Sequence, residues 1–433
     1  MPKRSLIFIT LFIAGFLFIA FDEANAQSLQ EIIDRAEKGE TIQLPDGTYE
    51  EPIVIDKPIQ LIGSADVVFK VKSDRPAITI KANGATLEQI AVEYESGAND
   101  TPAILIQGSQ NVIRSVTIET ASVGILLDDA HENLLSDISI TGDENLPIRE
   151  RRRGIDLWKA DRNTIEHAKI SHVEDGIYEE FCEENVFRNN IVTHSRYGYH
   201  LMFTERTELY HNESYENISG MMIMGTKETH AYENTLKFNQ EDVQSLGLLL
   251  YDVYDSRIEH NTIAHNRIGI LVEEAYDNEI SYNDVTNNFI GLQFKRAENN
   301  VITHNAFDAN VSQGQAEDSM MNETNANYWS DHHGLDVTGD GMSDLSYHVD
   351  PFYMHLANKY PAFRLLFQSP GMIFLDSMMH TPKEEQLVDA SPLMENPLSS
   401  SETFNEHNTA IAIISTTLFL MSIITIYMGV RQT

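Results

Sequence analysis

Glycine recurs every 22 residues through the middle of this 433-residue chain, at Gly154, Gly176, Gly198 and Gly220. After a slip of five residues the period resumes at Gly247, Gly269 and Gly291. Each glycine opens a short strand-like segment: GIDLW, GIYEE, GYHLM, GMMIM, GLLLY, GILVE and GLQFK. Asparagines recur between these segments, at Asn163, Asn185, Asn261, Asn283 and Asn300. Glycine suits tight bends because it carries no Cβ. Asparagine suits a corner because it tolerates left-handed backbone and bonds it locally. A period near 22, with short β runs and no helices between them, points to an all-β fold, a right-handed parallel β-helix. Leucine-rich repeats have a similar length, but their LxxLxL pattern is missing. The period continues less cleanly upstream through Gly124 to Thr41, and residues 29–38 read as a short amphipathic helix capping the open N-terminal end. About a dozen coils at ~4.8 Å each make a rod about 60 Å long.

Side chains alternate along a strand, so the glycine alignment separates two faces. The first and third positions after glycine are Ile155/Leu157, Ile177/Glu179, Tyr199/Leu201, Met221/Ile223, Leu248/Leu250, Ile270/Val272 and Leu292/Phe294. This column is apolar and faces the core, with Glu179 as an unexplained exception. The second and fourth positions run Asp156/Trp158, Tyr178/Glu180, His200/Met202, Met222/Met224, Leu249/Tyr251, Leu271/Glu273 and Gln293/Lys295. That mixed column is expected to face outward.

The two ends of the chain speak of export. Residues 1–26 read as a signal peptide: Lys3 and Arg4, an apolar stretch, then Ala24-Asn25-Ala26 as a small-x-small cleavage site. The repeat body with its cap is expected over 27–330, followed by an acidic loop and a helical region over 331–380. Residues 381–408, rich in Pro, Ser and acidic groups, suit a flexible linker. Residues 409–430 hold no charge and are long enough for one transmembrane helix, with Arg431 on the expected cytoplasmic side. The expected place is the periplasm, tethered to the cytoplasmic membrane.

Charge and cysteine content exclude several chemistries. With 30 Lys+Arg against 66 Asp+Glu, the formal net charge is −36, which repels nucleic-acid phosphates. The excess reads either as a solvated surface for a salty surrounding or as a field that attracts cations. A single cysteine, Cys182, leaves no internal disulfide and no Cys-based zinc or iron–sulfur site within one chain.

Three places in the repeat invite chemistry. His200 and Met202 precede Met222 and Met224 by one coil, and one imidazole with three thioethers is a ligand set that favours Cu(I). The same residues, extended by Trp158, Tyr178, Leu249 and Tyr251, equally make a docking surface or a covered face. Second, the interval from Gly124 to Gly154 is eight residues longer than a coil and holds Arg149, Arg151, Arg152 and Arg153. Those arginines address either an anionic partner or neighbouring carboxylates. Third, Asp336, Thr338, Asp340 and Asp344 fall on a D-x-T-x-D-G-x-x-D loop with Gly341 at its turn, which fits calcium or a metal-free Asx-turn loop. Position 12 of that loop is Tyr347 rather than glutamate. Residues 360–380 carry Met372, Met378, Met379 and His380 on an amphipathic pattern that serves packing more readily than ligation. No nucleophile–base pair, phosphate loop or metalloprotease motif occurs.

The chain resembles the NosD family of nitrous-oxide reductase maturation proteins. The resemblance is carried by Arg152-Arg153-Gly154-Ile-Asp-Leu-Trp158, Asp175-Gly-Ile-Tyr-Glu-Glu-Phe181, Arg196-Tyr-Gly-Tyr-His-Leu-Met-Phe203 and Gly220-Met-Met-Ile-Met224. It continues in Asn327-Tyr-Trp-Ser-Asp331, Tyr360-Pro-Ala-Phe-Arg and Ser391-Pro-Leu-Met394. The resemblance implies an exported, non-catalytic β-helix that helps assemble the copper centres of nitrous-oxide reductase. It implies an ABC-type ATPase and permease and a copper chaperone as further partners. Glu179 and the C-terminal apolar run both depart from the family pattern. The alternative reading, from the fold alone, is a uronate polysaccharide lyase or epimerase, and a third is a passive surface β-helix.

Overall fold

The computed structural model describes residues 28–96, 100–242, 244–319, 321–349 and 387–398, with isolated positions between 356 and 371. The expected signal peptide and transmembrane run lie outside the described residues, as does nearly all of 360–380. Among the described residues no helix is long and apolar enough to cross a membrane.

The repeat folds as a parallel β-solenoid of the right-handed type. One face is a 12-stranded parallel sheet running from Ile53–Ile55 to Ser312–Glu317, one strand per rung. The other strands of each rung join a 24-stranded sheet that closes the remaining sides. The five-residue slip is absorbed outside the stack, because Asn239 still bonds its counterpart Asn266 one rung on. The expected cap is the helix Leu29–Arg35, with Ser28 accepting from the Glu31 amide at its start. Gln30 clasps the first strand of the 12-stranded sheet, donating to Val54 O at 3.1 Å and accepting from Val54 N at 2.7 Å. A bare strand edge is thereby covered at the mouth of the rod.

The glycine period has a different cause from the bends expected of it. None of the seven periodic glycines has positive φ. A Cβ on Gly198 would instead lie 2.5 Å from the carbonyl oxygen of Gly220 and 2.2 Å from Ser214 Oγ. Glycine is needed because successive rungs approach too closely there for any side chain.

The asparagines also do something other than turn the corner themselves. The left-handed conformation falls on the residue before each of them, for example Arg162, Glu184, His260 and Tyr282, while Asn163, Asn185, Asn261 and Asn283 are buried. Each amide accepts from the backbone N–H of its counterpart one rung earlier, as Asn283 Oδ1 does from Asn261 N at 2.9 Å. It also donates to a carbonyl of that earlier rung, as Asn283 Nδ2 does to Ile258 O at 2.8 Å. These amide ladders satisfy backbone groups that a buried corner would otherwise orphan.

The inward column is as expected: Ile155, Leu157, Tyr199, Leu201, Ile223, Leu250, Val272 and Phe294 are all fully buried. Glu179 now has a physical account. One ladder carries Thr207 where Asn185 would meet its next amide, and Glu179 supplies the missing acceptor. Its carboxyl takes Asn185 Nδ2 at 2.9 Å and the Thr207 hydroxyl at 2.6 Å. Burial pushes this carboxyl up to about 7.

The flexible linker expected over 381–408 is corrected for 387–394. Leu387–Asp389 forms a strand antiparallel to Tyr347–Val349. Asp389 Oδ2 closes the last amide ladder, accepting from Asn327 N, Asn327 Nδ2 and Trp329 Nε1 at 3.0 to 3.1 Å. The Ser391-Pro-Leu-Met394 run then clasps the acidic loop, with Ser343 N donating to Pro392 O and Met394 N to Gly341 O. A charged stretch is ordered here because the end of the rod offers it buried donors.

Candidate functional site

The 12-stranded sheet places the sequence-predicted residues in two columns. Tyr178, His200, Met222 and Leu249 are successive cross-strand partners, and so are Glu180, Met202, Met224 and Tyr251. His200, Met202, Met222 and Met224 therefore do come together, on adjacent rungs ~4.8 Å apart. The outward column is more sheltered than its position suggests. Tyr178, His200 and Met222 are buried at 3%, 7% and 6% exposure, and Met202, Met224, Trp158 and Tyr251 are half-buried. Met222, Leu246, Leu249 and Leu271 form a second apolar cluster on this face, with Met224 and Tyr251 packed against it.

Above the thioethers lies a dense charged layer. His200 Nδ1 is 2.9 Å from Asp175 Oδ2. Arg196 grips both oxygens of Asp175, from Nε at 2.9 Å and Nη2 at 2.7 Å, and reaches Glu174 at 3.2 Å. Burial pushes the Asp175 carboxyl up, but the hydrogen bonds from His200 and Arg196 outweigh it and hold the group below its ordinary value. The His200 ring is wedged between Tyr178 and Tyr197, edge-on, at 4.9 and 5.1 Å. Its other nitrogen, Nε2, is buried without a hydrogen-bond partner among the described residues. A buried polar atom left unpaired is unfavourable by about 1–3 kcal/mol, and Nε2 is thus a nitrogen that no protein group occupies among the described residues.

The arginine loop is drawn largely inward. Arg151 donates to the carbonyls of Leu146, Glu144 and His194, each at 3.0 Å. Arg152 pairs with Asp100 at 3.0 Å. Arg153 pairs with Asp156 at 2.8 Å and lies 3.6 Å over the Tyr178 ring. Burial raises the Asp156 carboxyl, and Arg153 offsets only part of that. Arg149 is the exposed arginine of the four, lining a cleft of about 670 Å³ with Arg152, Glu119 and Thr120. On this face Arg153 and Arg196 are both already bound to buried carboxylates.

Sequence reasoning missed five residues of this region. Asp175, Arg196 and Tyr197 fall just before the aligned strand positions, so the two-face reading passed over them. Phe181 and Phe203 sit at the corner that closes the strand, 46% and 49% exposed, and stack at 5.4 Å with Trp158 edge-on to Phe181 at 5.2 Å. The same corner holds Lys159, Asp252, Glu274 and Arg296 on other rungs, and two phenylalanines among charged residues were the available signal.

The acidic loop gathers Asp336, Thr338, Asp340 and Asp344 into one exposed turn. Asp336 accepts from the Gly339 and Gly341 amides, which hold its carboxyl below the ordinary value, and Asp344 accepts from Val337 N at 2.7 Å. The four side chains thus shape the loop itself, a backbone arrangement compatible with an oxygen-ligated ion.

Fold and site together define a parallel β-solenoid with a sheltered imidazole–thioether patch. Residues 136–334 match the family described as "Periplasmic copper-binding protein (NosD)". The match takes in the arginine loop and the whole His200–Met224 patch and ends before Asp336. A Pseudomonas aeruginosa protein described as "Probable ABC transporter binding protein NosD" is 26% identical over 164 residues, covering 37% of this chain and 38% of that protein. The match thus spans well under half of that relative. Among solved structures, the A-module of the Azotobacter vinelandii mannuronan C-5 epimerase AlgE6 aligns with TM-score 0.49 and 13% identity, over 69% of this chain and 87% of that one. A mannuronic acid-specific family 6 lyase from human gut microbiota aligns with TM-score 0.49 and 13% identity, over 72% and 86%.

Proposed function

We propose that this chain is an exported accessory protein that handles Cu(I) during maturation of nitrous-oxide reductase, without catalysing a reaction of its own. Copper is its cargo. The observation that carries the reading is the buried Nε2 of His200, unpartnered among the described residues, on the strand of Met202 and one rung from Met222 and Met224. An imidazole nitrogen with neutral thioethers suits a soft monovalent ion better than a hard divalent one. The family description over 136–334 supports a periplasmic, copper-related role.

The partners in this reading are an ABC-type permease and ATPase, a copper chaperone and the reductase. The half-buried Trp158 and Tyr251, with the buried Tyr178 and the exposed Arg149, belong to the surface that meets them. Residues 1–26 direct export and 409–430 anchor the chain in the cytoplasmic membrane. Cu(I) titration of the full chain against Met202→Ala/Met222→Ala/Met224→Ala tests the core of the reading. The triple variant is expected to lose at least ~10-fold in affinity, and equal affinity would remove the patch from the metal-binding residues. Calcium is proposed at Asp336, Thr338, Asp340 and Asp344. A melting temperature that rises with calcium in the wild type but not in Asp340→Ala is the expected result, and an unchanged one sinks it.

A further inference from the structure

We propose that Asp175 is a positioning residue that presents the Nε2 lone pair of His200 to the metal, and that Arg196 anchors Asp175 for this purpose. The proposal rests on the copper reading and extends it to two residues outside the ligand set. A neutral imidazole has one N–H and one lone pair, and the partner of one nitrogen decides what the other can do. His200 Nδ1 faces Asp175 Oδ2 at 2.9 Å. Ionised Asp175 can only accept, so Nδ1 carries the hydrogen and Nε2 the lone pair. Arg196 makes that assignment firm, because its two bonds to both Asp175 oxygens stabilise the carboxylate and fix its plane.

The surroundings agree with this role. Asp175 is fully buried, and both of its oxygens are already engaged by donors, which disfavours it as a ligand. Its backbone carbonyl is held by Gly154 N at 2.9 Å, so the residue is tied to the neighbouring rung as well. Tyr178 and Tyr197 fix the ring plane from two sides. Ligating histidines commonly hand their second N–H to a carboxylate in this way, and losing that carboxylate weakens metal binding by about 10- to 100-fold.

The test is a double-mutant cycle read by Cu(I) affinity, together with ¹⁵N shifts of His200 in the metal-free full chain. Asp175→Asn is expected to weaken Cu(I) binding by ~10- to 100-fold when His200 is present and by less than about 2-fold in a His200→Gln background. Asp175→Asn/Arg196→Gln, which replaces the buried ion pair by an amide pair, repeats the measurement with less strain on folding. The wild-type spectrum is expected to show Nε2 as the unprotonated nitrogen. Equal losses in both backgrounds, or a wild-type ring protonated at Nε2, overturn the proposal. Loss of copper in His200→Gln without loss in either Asp175 variant overturns it while leaving the copper reading intact. If His200→Gln binds Cu(I) as tightly as the wild type, ligation by His200 is wrong and both fall.

Discussion

Two of the amide ladders that run down the rod differ in one respect. One passes without a break from Asn190 through Asn212, Asn234, Asn261, Asn283 and Asn305 to Asn327, and Asp389 closes it. The other runs from Asn111 to Asn185, is replaced by Thr207, Thr229 and Ser256, and resumes at Asn278. The break falls on the three rungs whose outer strands carry His200 with Met202, Met222 with Met224, and Leu249 with Tyr251. A hydroxyl donates one hydrogen where an amide donates two, so each of these rungs loses bonds at that corner. The chain compensates with a group taken from the core column, since Glu179 reaches both Asn185 and Thr207. Rung stacking therefore requires a satisfied corner, rather than asparagine as such.

The intact ladder is the more vulnerable of the two. Asn283→Ala removes the acceptor of the Asn261 amides and the donor to Ile258 O, all buried. It is expected to destabilise by about 4 kcal/mol, whereas Thr229→Ala, which loses a single hydroxyl bond to Thr226, should cost about 1 kcal/mol. Urea unfolding of the two variants against the wild type measures the difference, and equal losses would deny that the ladders differ.

Glu179 sharpens the same contrast through pH. Its carboxyl is raised from 4.5 to about 7 in the folded chain, so the folded state holds a proton that the unfolded state releases earlier. Stability from this group is thus greatest below about pH 4.5, falls as the pH rises towards about 7, and is flat beyond. Glu179→Gln keeps an acceptor for Asn185 and loses the charge. It should exceed the wild type by roughly 3 kcal/mol at pH 8 and match it at about pH 4. A constant difference across that range would place the charge elsewhere.

Much of the architecture was readable from spacing alone. The 22-residue period, the inward apolar column and the N-terminal cap all follow from local pattern, because a solenoid repeats its contacts with its own neighbours at a fixed separation. The gathering of His200, Met202, Met222 and Met224 was readable for the same reason. What spacing missed were groups whose partners lie on a diagonal. Asp175 meets His200 and Arg196 across one rung, and Asp389 returns from 60 residues beyond Trp329 to close a ladder. For the arginines of the 149–153 loop the sequence left an anionic partner and neighbouring carboxylates both open, and three of them turn to carbonyls and carboxylates, some far along the chain.

The glycine period thus determined by itself that this chain stacks rungs and which side chains share a face, since strand alternation and a fixed repeat leave little freedom. The reason for the glycines came only from the tertiary structure, where rung-to-rung approach, and not backbone curvature, excludes a Cβ. Burial decided the rest. It sheltered a column expected to face solvent, made an ionisable residue part of the core, and left Nε2 of His200, like Nδ1 of His172, without a hydrogen-bond partner among the described residues. Those outcomes depend on what lies across the rung in space, which a repeat length does not encode.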